Sequence, residues 1–309
     1  MKYNLESNDM PLKASLCAAF LGILFGANAV AIKISLSGLG SFTNAGLRFT
    51  FAALAITGFA KITGVPLAIT RKQAGKLLVL SLIFTVQLSC FYAGMARTTA
   101  SHGTLIINLL PFVILVLAHF FIPGDSITLK KSAGIGLGFI GIVFLLLDMQ
   151  TMGSDLKTGD AIVFCAVLLW GCNAVYSKRI IPEFNAIQIV LYPMFFGIPV
   201  FLLCGFFWDE PMVSSLDPGV VQALCYQSFV SAAFGFIAWN TLIKRYGVTA
   251  VHSFVFIMPV AGVFFGVLIL DEPMSLHLLG SIVFIVTGIL IVNMKRKTKV
   301  ASVAPGVRS

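Results

Sequence analysis

Ten apolar runs of roughly 20 residues follow one another along this 309-residue chain, with only short polar breaks between them. They lie near 13–34, 42–61, 75–95, 100–122, 132–148, 159–178, 185–208, 219–242, 248–270 and 275–294. Helices of that length cross the ~30 Å of hydrocarbon in a bilayer. Unbroken apolarity excludes barrel strands, whose residues alternate between lipid and lumen. Hydrophobic residues make up 58% of the chain and charged ones 11%, so no soluble core could hide the apolar surface. The sequence predicts an all-α membrane protein of ten transmembrane helices. The run after the polar segment 1–12 has no small-residue cleavage site, which predicts a retained span.

The ten runs divide into two related halves. Phe25-Gly26-Ala27-Asn28-Ala29-Val30-Ala31-Ile32-Lys33 returns as Trp170-Gly171-Cys172-Asn173-Ala174-Val175-Tyr176-Ser177-Lys178. Phe91 and the stretch from Thr98 to Pro111 are echoed by Trp239 and the stretch from Tyr246 to Pro259. The loop 124–128 is echoed by 271–275. These registers define repeats at 13–148 and 159–294, joined by an external linker at 149–158 and followed by a basic tail at 295–309. With both termini inside, seventeen of the 21 Lys and Arg residues fall on the cytoplasmic side. Five spans is an odd number, so the second repeat enters the membrane inverted relative to the first.

In order and spacing, these features resemble the drug/metabolite transporter superfamily, EamA type. The residues concerned are the paired W/F-G-x-N motif, Arg48-Phe49, the Pro-centred fourth and ninth spans, and the Asp125 and Asp271-Glu272 loops before the last span of each half. The resemblance runs from Ala14 to Asn293 and implies a ten-helix, exporter-like carrier with a central cavity between the halves. One departure is Phe25, where the family usually carries Trp.

Polar and aromatic residues inside spans are the informative ones, because an unpaired amide in hydrocarbon costs several kcal/mol. Asn28 and Asn173 sit at matching repeat positions, either as hydrogen-bonding groups for substrate or as glue between helices. Gln87, Tyr92, Asn108, Trp239 and Asn240 carry the same two readings, with Trp170 beside Asn173 as a further candidate cavity wall. Pro111 and Pro259, expected near mid-span, free the carbonyls of Ile107 and Val255 and are candidate hinges. Arg48 is a formal charge inside a span, read as a structural cation or an anion site. The acidic residues all read as lying near the two membrane faces. Carboxylate proton relay is therefore not expected, and the proton-linked candidates are His102 and His252.

Other signals read as structural. Gly136-Leu137-Gly138-Phe139-Ile140-Gly141 matches a dinucleotide fingerprint but sits in an apolar helix with no strand before it, so it reads as a packing face. The six Cys residues lie in apolar runs without a CxxC pair, and no His has a ligand-spaced partner in sequence, so no metal site is expected. The basic clusters suit membrane orientation rather than nucleic acid. The expectation is a secondary transporter, working without a cofactor as a monomer or homodimer. It would move a small organic metabolite, amino-acid-like, outward across a bacterial inner or plasma membrane. The alternatives are a membrane-embedded enzyme, disfavoured because no nucleophile–base pair is visible in the sequence, and a multidrug-type efflux carrier. Reporter fusions test the orientation: those after Lys72, Lys131 and Arg245 should read as cytoplasmic, and those near Asp155 and Asp217 as external. An external reading at Lys131 contradicts the inverted repeat.

Overall fold

The structure, a computed structural model, describes residues 10–121, 129–148, 154–246, 251 and 254–293. Among them the only strand-like pairing is a single bridge between Leu39 and Val213, and helices follow the apolar runs. The first five spans are Leu12–Leu36, Ser41–Ile62, Arg71–Arg97, the pair Ala100–Ile107 and Leu110–Phe121, and Leu129–Asp148. The sixth and seventh are Ser154–Ile180 and Ala186–Trp208. The eighth runs as Pro218–Cys225, a widened π-helical stretch Tyr226–Gly235, and Phe236–Tyr246. Ile257–Leu270 and Leu276–Asn293 are the ninth and tenth. Seven of these are long and apolar enough to cross a bilayer alone, and three shorter apolar helices complete the ten.

Helix starts follow local capping chemistry. Thr70 caps the third span through Gln73 N (3.3 Å), and at the matching start of the eighth span Asp217 accepts from Val220 N (3.0 Å). That bond holds the Asp217 carboxyl below its ordinary pKa.

The packing is symmetric under exchange of the repeats. The first span packs on the ninth as the fourth packs on the sixth, and the third packs on the sixth as the eighth packs on the first. The second and seventh spans pack on each other, as do the fifth and tenth. Swapping every span for its counterpart returns each of these main pairings. The aromatic residues of the repeated motif obey the same exchange. Phe25 meets Trp239 edge-on at 5.7 Å, and Trp170 meets Phe91 edge-on at 6.2 Å.

Small residues let these helices approach. A Cβ at Gly26 would lie 2.7 Å from both the Met258 carbonyl and Ala261 Cβ, so only glycine fits where the first span crosses the ninth. A Cβ at Gly134 would lie 2.8 Å from the Gly288 carbonyl. Gly138 against Phe112 and Gly141 against Ile285 are equally tight, so these three glycines serve helix packing, as their apolar setting implied, while a Cβ at Gly136 would meet nothing within 4 Å.

The prolines depart from the sequence expectation of mid-helix kinks. The fourth span breaks at Asn108–Leu109, and Pro111 is the second residue of the helix that restarts there. In the ninth span, turns at 254–256 precede a helix in which Pro259 is the third residue. In the first turn of a helix an N–H has no intrahelical partner, so the missing proton removes nothing. Both residues mark interruptions rather than bends in continuous helices. Two further prolines, Pro193 and Pro199, lie inside the seventh helix without breaking it.

Candidate functional site

Both ends of the bundle carry ties between the two repeats. At the end marked by Glu272, Gly40 N donates to Met212 O (3.0 Å), while Thr43 N and Oγ1 donate to Asp209 Oδ2 (2.7 and 2.9 Å). Glu272 reaches the start of the fourth span, where its two oxygens accept from Ala100 N (2.5 Å) and Ser101 N (2.8 Å). A carboxylate is well placed there, at the positive end of a helix. At the opposite end Lys76 pairs with Glu183, Gln73 Nε2 donates to Glu183 O (2.7 Å), and Tyr192 OH donates to Leu67 O (2.7 Å).

Two buried polar clusters lie inside the Glu272 end. The first joins four spans. Arg48 Nη1 donates to Tyr92 OH (3.0 Å), which donates to Gln227 Oε1 (3.1 Å). Gln227 Nε2 donates to Ala31 O (3.2 Å) and to Ser35 Oγ (2.6 Å), and Asn44 Nδ2 also donates to Ser35 Oγ (2.5 Å). Tyr92 and Gln227 are fully buried. Gln227 sits at the start of the π-helical stretch, and its neighbour Tyr226 donates to Leu24 O (2.7 Å). Widened turns of this kind recur at functional sites.

The second cluster corrects the reading of the acidic residues. The sixth helix begins at Ser154, so Asp160 lies six residues inside it, about 9 Å along the axis. Asp160 is buried and its Oδ2 lies 2.8 Å from His102 Nδ1; its Oδ1 accepts from Thr98 Oγ1. Close backbone contact delivers it: a Cβ on Gly94 would lie 2.9 Å from Gly159 O. His102 therefore has a carboxylate partner after all, and a span does contain an Asp. The partners are 58 residues apart, beyond the reach of local spacing.

Asn28 Oδ1, Gln87 Oε1, Thr104 Oγ1 and Asn173 Nδ2 are buried with no hydrogen-bond partner among the described residues, as are Asn44 Oδ1, Arg48 Nε, Thr57 Oγ1 and Ser101 Oγ nearer the bundle's ends or on the second span. The first four come from the first, third, fourth and sixth spans, of which the third and fourth each pack on both the first and the sixth. Each orphan costs about 1–3 kcal/mol in a protein interior. Asn108, by contrast, donates to Thr104 O one turn back (2.7 Å).

The sequence candidates thus fall into separate groups. Tyr92 and Trp170 both lean on Phe91, at 5.6 and 6.2 Å between ring centroids. Trp239 packs on Phe25 in a different apolar cluster with Leu21, Leu242 and Val251. The Asn240 side chain and His252 lie outside the described residues. Sequence reasoning passed over Ser35, Asn44, Asp160 and Gln227. For Ser35, Asn44 and Gln227 the available signal was a polar side chain within an apolar run. An apolar cavity of about 150 Å³ lies between the fourth, fifth and sixth spans, lined by residues including Leu109, Phe112, Val113 and Phe139. With no polar side chain in its wall, it offers nothing to orient a polar metabolite.

A bundle of ten apolar helices in two repeats, with polar clusters held between them, defines a multi-pass membrane transport protein. The EamA-like transporter family model matches residues 12–147 and again 157–294, and the chain belongs to that family. The probable amino-acid metabolite efflux pump of Escherichia coli (strain K12) is 27% identical over 291 residues, covering 91% of this chain and 95% of that protein. The uncharacterized transporter YyaM of Bacillus subtilis (strain 168) is 25% identical over 254 residues, covering 80% and 83%. A protein of known crystal structure shares the fold with a TM-score of 0.67 at 17% identity, covering 91% of this chain and 97% of that one.

The His102–Asp160 pair makes a testable claim. His102→Gln and Asp160→Asn should each lower thermal stability in detergent, and the double variant should cost less than the sum by about 1–3 kcal/mol of coupling. Additive losses contradict a direct pair.

Proposed function

We propose that this transporter is a secondary carrier exporting a small, amino-acid-like metabolite by alternating access, with both termini in the cytoplasm of a bacterial cell. The observation that carries the reading is the buried, unpartnered polar atoms of Asn28, Gln87, Thr104 and Asn173, on four spans joined through the third and fourth. A membrane bundle tolerates such groups where a ligand or a wet cavity satisfies them. The aromatic row of Tyr92, Phe91 and Trp170 borders the third and sixth spans that hold Gln87 and Asn173. The efflux-pump relative supports the amino-acid-like class, and inverted repeats support rocking of one half against the other.

Counterflow in proteoliposomes tests this. Amino-acid uptake should saturate and be driven by the same compounds loaded inside. Alanine at Asn28 or Asn173 should weaken apparent affinity about fivefold, the value of one hydrogen bond of ~1 kcal/mol. Unsaturable flux contradicts a carrier, and unchanged affinity in both variants removes the asparagines from the site.

A further inference from the structure

The cluster around Arg48 has its donors and acceptors out of balance. The Tyr92 hydroxyl proton goes to Gln227, both Gln227 amide protons go to Ala31 O and Ser35 Oγ, and the Ser35 proton goes to Ile32 O (2.9 Å). A guanidinium carries five N–H donors. Among the described residues, one nitrogen of Arg48 reaches an acceptor and Nε is buried with none, while the cluster's one unused buried side-chain acceptor is Asn44 Oδ1. No carboxylate of the described residues lies within ion-pair distance of Arg48. Its acceptor, Tyr92 OH, belongs to a side chain with 0% exposure, so the guanidinium is drawn into the bundle and does not snorkel to the headgroups. What remains is a positive charge inside the membrane, held by a phenol and lying 5.3 Å over the Phe49 ring, with unused donors and no anion among the described residues.

We propose that Arg48 is a carboxylate-binding subsite of the transported molecule. The substrate carboxylate docks on Nε and a neighbouring Nη in a forked pair, while Tyr92, fixed by Gln227, holds the guanidinium plane. A planar carboxylate matches that fork and supplies the negative charge the cluster lacks. Arg48 lies seven residues into the second helix, about 10 Å from its start, within reach of a small molecule bound between the repeats. The proposal rests on the carrier reading above and narrows its substrate to carboxylates.

An equimolar mixture of the proteinogenic amino acids, the matching mixture of their carboxamides, and phosphatidylglycerol serve as probes. Thermal unfolding of the purified protein in dodecyl maltoside is the first readout. The acids should raise the melting temperature, the amides should not, Arg48→Gln should lose the shift, and Arg48→Lys should keep a reduced one. In proteoliposomes, wild type should take up acids in preference to amides by roughly tenfold or more, and Arg48→Gln should lose that preference. The preference is a ratio within one variant, so poor folding does not mimic the result. An equal response to acids and amides, or discrimination retained in Arg48→Gln, overturns the subsite. Stabilisation of wild type by phosphatidylglycerol alone, lost in Arg48→Gln, assigns the charge to a lipid phosphate and overturns it too. Saturable counterflow without discrimination overturns the subsite while leaving the carrier standing. No counterflow in wild type overturns the carrier reading and the subsite with it.

Discussion

Water is absent from the bilayer core, so every polar group carried into it must find its partner inside the protein. That constraint selects helices for the backbone, and it governs the side chains as well. Arg48, Tyr92, Gln227, Ser35 and Asn44 bond to one another across four spans, and Asp160 is held by His102 and Thr98. Hydrogen bonding does not close at Asn28, Asn44, Thr57, Gln87, Ser101, Thr104, Asn173 and Arg48 Nε, where a buried polar atom has no partner among the described residues.

Reaching those partners depends on how closely the helices approach. Lipid tails are as apolar as Leu, so burial alone draws no two spans together, and contact must come from packing and polar bonds. Gly26 against Met258 and Ala261 lets the first span meet the ninth. Gly94 against Gly159 sets the third span against the sixth and places Asp160 beside His102. One short-range device thus fixes both the symmetric packing and the polar clusters that sit within it.

Much of the fold was legible because its signals are local or periodic. Apolar length located the ten spans to within a few residues in most cases, and the repeated Phe25–Lys33 stretch foretold the exchange that pairs Phe25 with Trp239 and Trp170 with Phe91. The site was less legible because, Asn44 to Ser35 apart, its bonds between spans join residues 44 to 196 positions apart. Asp160 read as lying at the outer face since hydropathy started the sixth span at 159, one residue before it, whereas the helix starts at Ser154. Pro111 and Pro259 read as kinks because sequence shows a proline within an apolar run but not where the hydrogen-bond ladder restarts. The widened turn carrying Gln227 left no compositional trace in its span.

The central claim is that substrate binds between two repeats whose ends open in turn. The ties that close them are Glu272 to Ala100 and Ser101 at one end, and Glu183 with Lys76 and Gln73 at the other. The most direct measurement is thiol labelling of two variants free of native cysteine, one with Ser101→Cys and one with Tyr176→Cys. With and without saturating amino acids, labelling at the two positions should change in opposite directions. Parallel change at both, or no change at either, contradicts alternating access.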